Sequence, residues 1–411
     1  MMLRWLIVGG LWILIAATYP LWTATGDFPQ IPFFGFLTAT PQWVDHILIG
    51  MLAVFTFAFA FGRASVRWNL NWGLGAAGVL SLLTFLDQHR FQPWVYLTVV
   101  QFVILSVPDS HSKREWKLIR FLLASIYIYS AISKFDHSFF QHLGLRFVDT
   151  FLNQIGTNPH LMVPAKKLWM IWLFPIGEML VGIGLIVPVT RRFAVGASML
   201  LHAVLIMILG PWGLDHHLGV LLWNVLFASE VLVAFGRVTP IDDEAEKIPT
   251  VGRPFMQSLA VLATVVCIGL PLWEIAGGKL DHWPAWSLYS DRTDKVELFI
   301  DSEHAAQLPP DVLRHLGPPI PFQTWRKLYL EQWSLSETRA PIYPEDRFQV
   351  GVIADVCNQL GLANKNGGAK MVVHGPPDRM SGKRQNTSYI GTDAINGAAI
   401  QFRLNSKARS R

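Results

Sequence analysis

Apolar residues fall in long, nearly unbroken blocks over the first two thirds of the chain. A helix needs about 20 mostly apolar residues to cross a hydrocarbon layer roughly 30 Å thick. Blocks of this kind occupy residues 5–22, 44–61, 73–85, 95–107, 118–133, 168–187, 193–209, 218–235 and 255–273, which predicts about nine spans. The third and fourth are short, and suit tilted spans, re-entrant segments or one broken pair alike. The first follows Arg4 and passes Ala16 and Ala17, the outline of a signal peptide. It stays apolar through Leu21 and Trp22, so it is read as an uncleaved helix.

After Glu274 the pattern changes, and Pro, Asp, Lys, Arg and Gly interrupt short apolar runs. Residues 296–300, 371–374 and 399–404 read as strands, and 322–333 and 345–360 as helices. Residues 367–368, 375–377 and 406–411 read as loops, the basic end 407–411 as a solvated tail. The expected architecture is an all-α polytopic membrane bundle over 1–274 with a small extracytoplasmic α+β domain over 275–411.

Composition agrees. Of 411 residues, 52% are hydrophobic and 15% charged, against roughly a quarter charged in soluble domains. Mean hydropathy is +0.34. The net charge of +5 matters less than its placement, because basic residues gather on cytoplasmic loops. With a cytoplasmic N-terminus, that side carries Arg4; Arg63 and Arg67; Lys113, Arg114 and Lys117; Arg191 and Arg192; and Arg237, Lys247 and Arg253. Segments 23–42 and 210–217 hold no Lys or Arg; Arg146, Lys166 and Lys167, after Lys134, are the outer exceptions. The expected location is an integral membrane protein, in the plasma membrane if the source is bacterial. Two cysteines, Cys267 and Cys357, exclude a disulfide scaffold and a cysteine metal cluster. Phosphate loops, Gly-x-Ser-x-Gly, His-Glu-x-x-His and Cys-x-x-Cys are all missing, and no nucleic-acid partner is expected.

Ionisable groups inside spans are costly and therefore functional candidates. Tyr127, Ser130 and Lys134 share one helical face, with Asp136 just beyond. A lysine in a low-dielectric pocket can serve as a base, whereas one near a span end can snorkel and pair with Asp136. Glu178 sits mid-block beside Gly177, Gly182 and Gly184, so it needs a proton or a partner, in a functional site or a plain interhelical hydrogen bond. His202 shares a face with Ser198, as a catalyst or a satisfied packing residue. Trp212, Asp215, His216 and His217 crowd one short outer loop, but adjacent histidines rarely face one ion, and no metal is expected.

The stretch 126–136, with Lys134-Phe-Asp136 closing an apolar helix, is similar to the region around the catalytic lysine of vitamin K-dependent γ-glutamyl carboxylases. Glu178 with its glycines, the turn Val189-Thr-Arg191-Arg192 and the helix bearing His202 follow in that family's order. The wider group is the HTTM-type membrane domain, which also resembles DoxX-like and MauE-like modules. The similarity covers roughly 115–235, and 283–289 faintly. Ser133 precedes Lys134 where the animal enzymes have a Lys pair, and 275–411 is short beside the carboxylases' lumenal region. The resemblance implies Lys134 as the base that deprotonates a reduced naphthoquinone, His202 and Glu178 as supporting catalytic groups, and a secreted protein substrate. Tyr127, Ser130, Asp136, Trp212 and His216 would line the quinone or substrate pocket. The alternatives are a non-carboxylating, quinone-handling or maturation component of the DoxX or MauE kind, and a structural membrane protein whose outer domain binds a partner.

Overall fold

The computed structural model describes residues 1–23, 26–61, 66–107, 113–236, 253–276, 279–305, 308–359 and 368–410, with backbone alone over 66–71 and at 113 and 253. The first part is helical: α1 (Met2–Ala17), α2 (Tyr19–Thr23), α3 (Trp43–Phe61), α4 (Val66–Leu86), α5 (Pro93–Leu105), α6 (Lys113–Lys134), α7 (Gly144–Gln154), α8 (Pro164–Ile186), α9 (Arg191–Leu209), α10 (Leu218–Gly236) and α11 (Arg253–Ile275). The second part mixes β1 (Lys295–Asp301), α12 (Ser302–Ala305), α13 (Pro310–Leu313), β2 (Trp325–Leu328), α14 (Leu330–Thr338), α15 (Asp346–Gln359), β3 (Ala369–His374), β4 (Asn386–Ile390) and α16 (Thr392–Ala399).

Among the described residues, α3, α8, α9, α10 and α11 are long and apolar enough to cross a membrane. A sixth span results if α6 and α7 are one bent element, their axes 87° apart across a π turn at Phe139–Leu143. This falls short of about nine spans. Met2–Ala17 and Pro93–Leu105 are apolar but only 16 and 13 residues long, below the roughly 20 a crossing requires, and in α4, 21 residues long, the apolar stretch among the described side chains is Trp72–Leu86. Nearly every residue of α5 is buried, against few of α3.

The basic residues Arg63, Arg237 and Lys247, and the side chains of Arg67, Lys113 and Arg253, lie outside the described residues. At the end away from the C-terminal region, Arg4 donates to the Leu105 carbonyl at 3.1 Å and Arg114 to Gln257 at 3.4 Å. The N-terminus, the end of α5 and the starts of α6 and α11 therefore share one end.

In the C-terminal region a four-stranded antiparallel sheet runs β2-β1-β3-β4. Leu298 stands opposite both Leu328 and Met371. Val296, Leu298 and Ile300 alternate inward against the buried face of α15, as period two requires. Strands over 296–300 and 371–374 and the helix over 345–359 are thus present; residue 360 lies outside the described set. Two expectations fail. Residues 322–333 hold strand β2, drawn into the ladder by β1, before α14 begins. Residues 399–404 close helix α16, because the Ala-rich stretch before them favours a helix, and β4 supplies the edge strand instead.

The tail is not merely solvated. Arg409 is buried and its Nη1 meets Asp45 Oδ2 at 2.6 Å, while Arg90 Nη1 meets Oδ1 at 2.5 Å. Arg409 also donates to the carbonyls of Thr40 and Pro41 at 2.7 and 2.6 Å. Phe28 and Ile31, from the loop after α2, enter the C-terminal core, where Phe28 meets Trp333 at 4.8 Å between ring centroids. Arg347 reaches Gln88 at 2.8 Å, and Gln88 donates to the Asn405 carbonyl at 2.7 Å. Bundle and appendage interlock.

Two outcomes follow. Arg409→Ala leaves Asp45 half-matched in a dry site, where breaking a buried pair costs about 3–5 kcal/mol. The unfolding midpoint in detergent should drop and the appendage should become protease-sensitive; an unchanged midpoint would show that the tail contributes nothing. The second concerns His282, whose Nδ1 lies 3.0 Å from Glu345 Oε1 and whose Nε2 lies 3.2 Å from the Arg292 carbonyl. Burial lowers this imidazole, but the hydrogen bond and charge of Glu345 outweigh it and lift the group to about 9. A raised folded value gives stability that is fully present below about 6.5 and is lost as pH climbs through about 9. Unfolding midpoints measured across this range should fall for the wild type and stay flat for Glu345→Gln.

Candidate functional site

Lys134 ends α6 yet is 1% exposed, so it does not snorkel. Its Nζ donates to Glu178 Oε2 on α8 at 2.8 Å, to Ser130 Oγ at 2.6 Å and to the Ser130 carbonyl at 3.1 Å. Three acceptors use all three hydrogens of an ammonium, so in this state the amine is a donor. To act as a base it would first have to pass a proton to Glu178. The close approach of α6 and α8 rests on Gly182: a Cβ there would lie 2.7 Å from Ile128 Cγ1 and 3.0 Å from the Ala124 carbonyl. Asp136 is not the partner of Lys134. It accepts from the Ser138 and Phe139 amides at 2.8 and 3.3 Å, and faces Arg292 at 3.5 Å.

A second set of buried polar groups lies beside the pair. Tyr127 Oη is 2.7 Å from Ser198 Oγ and 2.8 Å from His202 Nε2; His202 Nδ1 is 3.0 Å from Asn224 Oδ1. Asn224 Nδ2 donates to the Val220 carbonyl at 2.9 Å and to Tyr289 Oη at 3.3 Å. These contacts fix a direction. The amide of Asn224 spends its hydrogens on Val220 and Tyr289, so its oxygen accepts from His202 Nδ1–H. His202 Nε2 is then the acceptor, and Tyr127 donates to it while accepting from Ser198. Donors run from Ser198 through Tyr127, His202 and Asn224 to Tyr289, whose own hydroxyl hydrogen has no acceptor among the described residues. The Tyr289 ring lies 6.0 Å from Lys134 Nζ, so the two sets meet at that residue.

Of the residues singled out from sequence, Lys134, Glu178, Ser130, Tyr127 and His202 come together. Asp136 caps the turn after α6. Trp212 is 85% exposed and stands apart, and His216 lies on the rim of a cleft between bundle and appendage. Among the described residues no three His, Cys, Asp or Glu side chains gather as a metal site would need. Asn224 and Tyr289 did not stand out, Asn224 as a neutral residue in an apolar block and Tyr289 as an aromatic residue in the mixed segment after it. Glu230 was missed despite a clear signal, an acid in the middle of an apolar block. It is 1% exposed and accepts from Gln101 Nε2 at 2.6 Å.

Residues 113–213 match the family described as methylamine utilisation protein MauE. That is about a quarter of the chain, from the start of α6 to the turn after α9, and it contains Lys134, Glu178 and His202. No curated protein and no solved structure matches the chain. The match is to the more distant of the resemblances seen in the sequence, and nothing in it supports carboxylation.

The pair itself is testable. Lys134→Met or Glu178→Leu leaves one unmatched buried charge and should lower the unfolding midpoint in detergent, by about 3–5 kcal/mol where midpoints convert to free energy. The double variant removes both charges and should recover most of the loss. A double variant no better than the sum of the singles would show that the two groups are not coupled.

Proposed function

We propose that this integral membrane protein is a MauE-like component that binds a quinone and serves a partner on the outer side, rather than a carboxylase. The observation that carries the reading is the directed chain from Ser198 to Tyr289. It brings an oriented donor from the bundle interior, past the Lys134–Glu178 pair, to the boundary with the appendage. A quinone ring offers carbonyl oxygens, which need donors of that kind.

The chain's share is binding and hydrogen bonding. Cys267 and Cys357 are buried in separate cores, so they do not form a redox pair, and electrons would be exchanged with a redox group of the partner. The alternation of basic loops supports an appendage facing the extracytoplasmic side, with the N-terminus in the cytoplasm.

Protein purified in lipid discs should retain isoprenoid quinone near one molecule per chain, measured by mass spectrometry after solvent extraction. The His202→Ala variant should retain less. Quinone at the level of an unrelated membrane protein prepared in parallel would overturn the reading.

A further inference from the structure

A cleft of about 240 Å3 opens where the outer ends of α1, α5 and α10 meet the appendage. Trp94, Trp223 and Trp283 line it from three directions, Tyr289 lies among them, and His216 and Arg339 stand at its exposed rim. Pockets that take whole drug-sized molecules run to roughly 300–1,000 Å3, so this volume suits one or two fused rings. Three indoles line the cleft, each also in ring contact with a neighbour (Trp94 with Trp22 at 5.7 Å, Trp223 with Phe227 at 5.3 Å, Trp283 with Tyr343 at 5.1 Å), and none of their N–H groups has an acceptor among the described residues. No carboxylate among the described residues pairs with the Arg339 guanidinium. The lining is aromatic and rich in donors.

Tyr289 is held there at a cost. It and Trp286 both have left-handed backbones, φ 55° and 56°, which are strained for residues with a Cβ and add about 1–2 kcal/mol each. Trp286 is fully buried and stacks on Tyr96 at 5.2 Å, and Ser290 Oγ reaches the Ser133 carbonyl at 3.4 Å, so the surrounding structure enforces the turn. Its effect is to place Tyr289 among the residues that line the cleft, with its hydroxyl at the end of the donor chain. Burial pushes that hydroxyl up to about 12, which keeps it a donor at neutral pH.

We infer that this cleft is the ring site: it takes a planar aromatic ring bearing a carbonyl oxygen, stacked on Trp94, Trp223 or Trp283, with the Tyr289 hydroxyl donating to the carbonyl. The inference rests on the quinone reading for its ligand class and adds the place and the residues. A long isoprenoid tail would not fit in this volume and would leave toward the lipid.

The test uses the full chain in lipid discs, with menadione in equilibrium dialysis and empty discs subtracted for partition. Wild-type protein should bind saturably at one site. Trp223→Leu should weaken binding tenfold or more. Tyr289→Phe, which keeps the ring and its packing, should weaken it about three- to tenfold, as one hydrogen bond is worth. The carbonyl-free probe 2-methylnaphthalene should bind weakly and be indifferent to Tyr289→Phe. Menadione binding undiminished in both variants would overturn the cleft and leave the quinone reading standing. Weakening by Trp223→Leu alone would overturn the role of the hydroxyl. No saturable binding at all would overturn both.

Discussion

An ammonium buried among apolar helices must find a carboxylate, and the Lys134–Glu178 contact at 2.8 Å decides how the helices around it are arranged. Breaking a buried pair costs about 3–5 kcal/mol, so each residue needs the other in this setting. Together they require α6 and α8 to lie within a salt bridge of each other. Gly182 makes that possible by removing the side chain that would push them apart. α8 in turn packs on α9, and α9 on α10, which brings His202 and Asn224 to Tyr127. The polar chain and the ion pair are thus carried by the same packed helices.

The same rule acts a second time where the bundle meets the appendage. Asp45 opens α3 and is held by Arg90 from the segment before α5 and by Arg409 from the far end of the chain. Phe28 and Ile31 complete the appendage core from the bundle's own loop. Together these contacts tie the appendage to the bundle. That matters for the site, since Tyr289 belongs to the segment that links the two and gains its position from both. An appendage on a loose tether would not hold a strained turn beside α10.

How much of this the chain reveals in one dimension depends on whether a residue looks expensive. Lys134, Glu178 and His202 stand out because charge or imidazole in an apolar block has to be explained, and the structure gathers all three. Glu230 carried the same signal. Asn224 and Tyr289 did not, because their roles come only from which atoms they face. The count of about nine spans is not confirmed, and α5 shows a related reason. Residues of α5 such as Val95, Leu97, Val100 and Phe102 are apolar because other helices surround them, and composition cannot separate protein neighbours from lipid. In the appendage, β1 was plain from its alternation. β2 was not, since 322–333 contains a four-residue strand whose only reason to be extended is the ladder with β1.

The two polar sets differ in what they can offer a ligand. All three hydrogens of Lys134 are committed to Glu178 and Ser130, so the amine meets nothing new without first breaking contacts it needs to stay buried. The chain through His202 has the opposite character. Tyr127 and His202 each give one hydrogen and take one, Asn224 takes one and gives two, to the Val220 carbonyl and to Tyr289, and the direction is carried to the Tyr289 hydroxyl. A molecule in the cleft would therefore meet Tyr289 first, with the lysine acting across the ring face from 6.0 Å. A cation over an aromatic face is an electrostatic contact that does not need the lysine to give up a proton. The ion pair then keeps the helices in place, while the neutral chain supplies a donor at Tyr289.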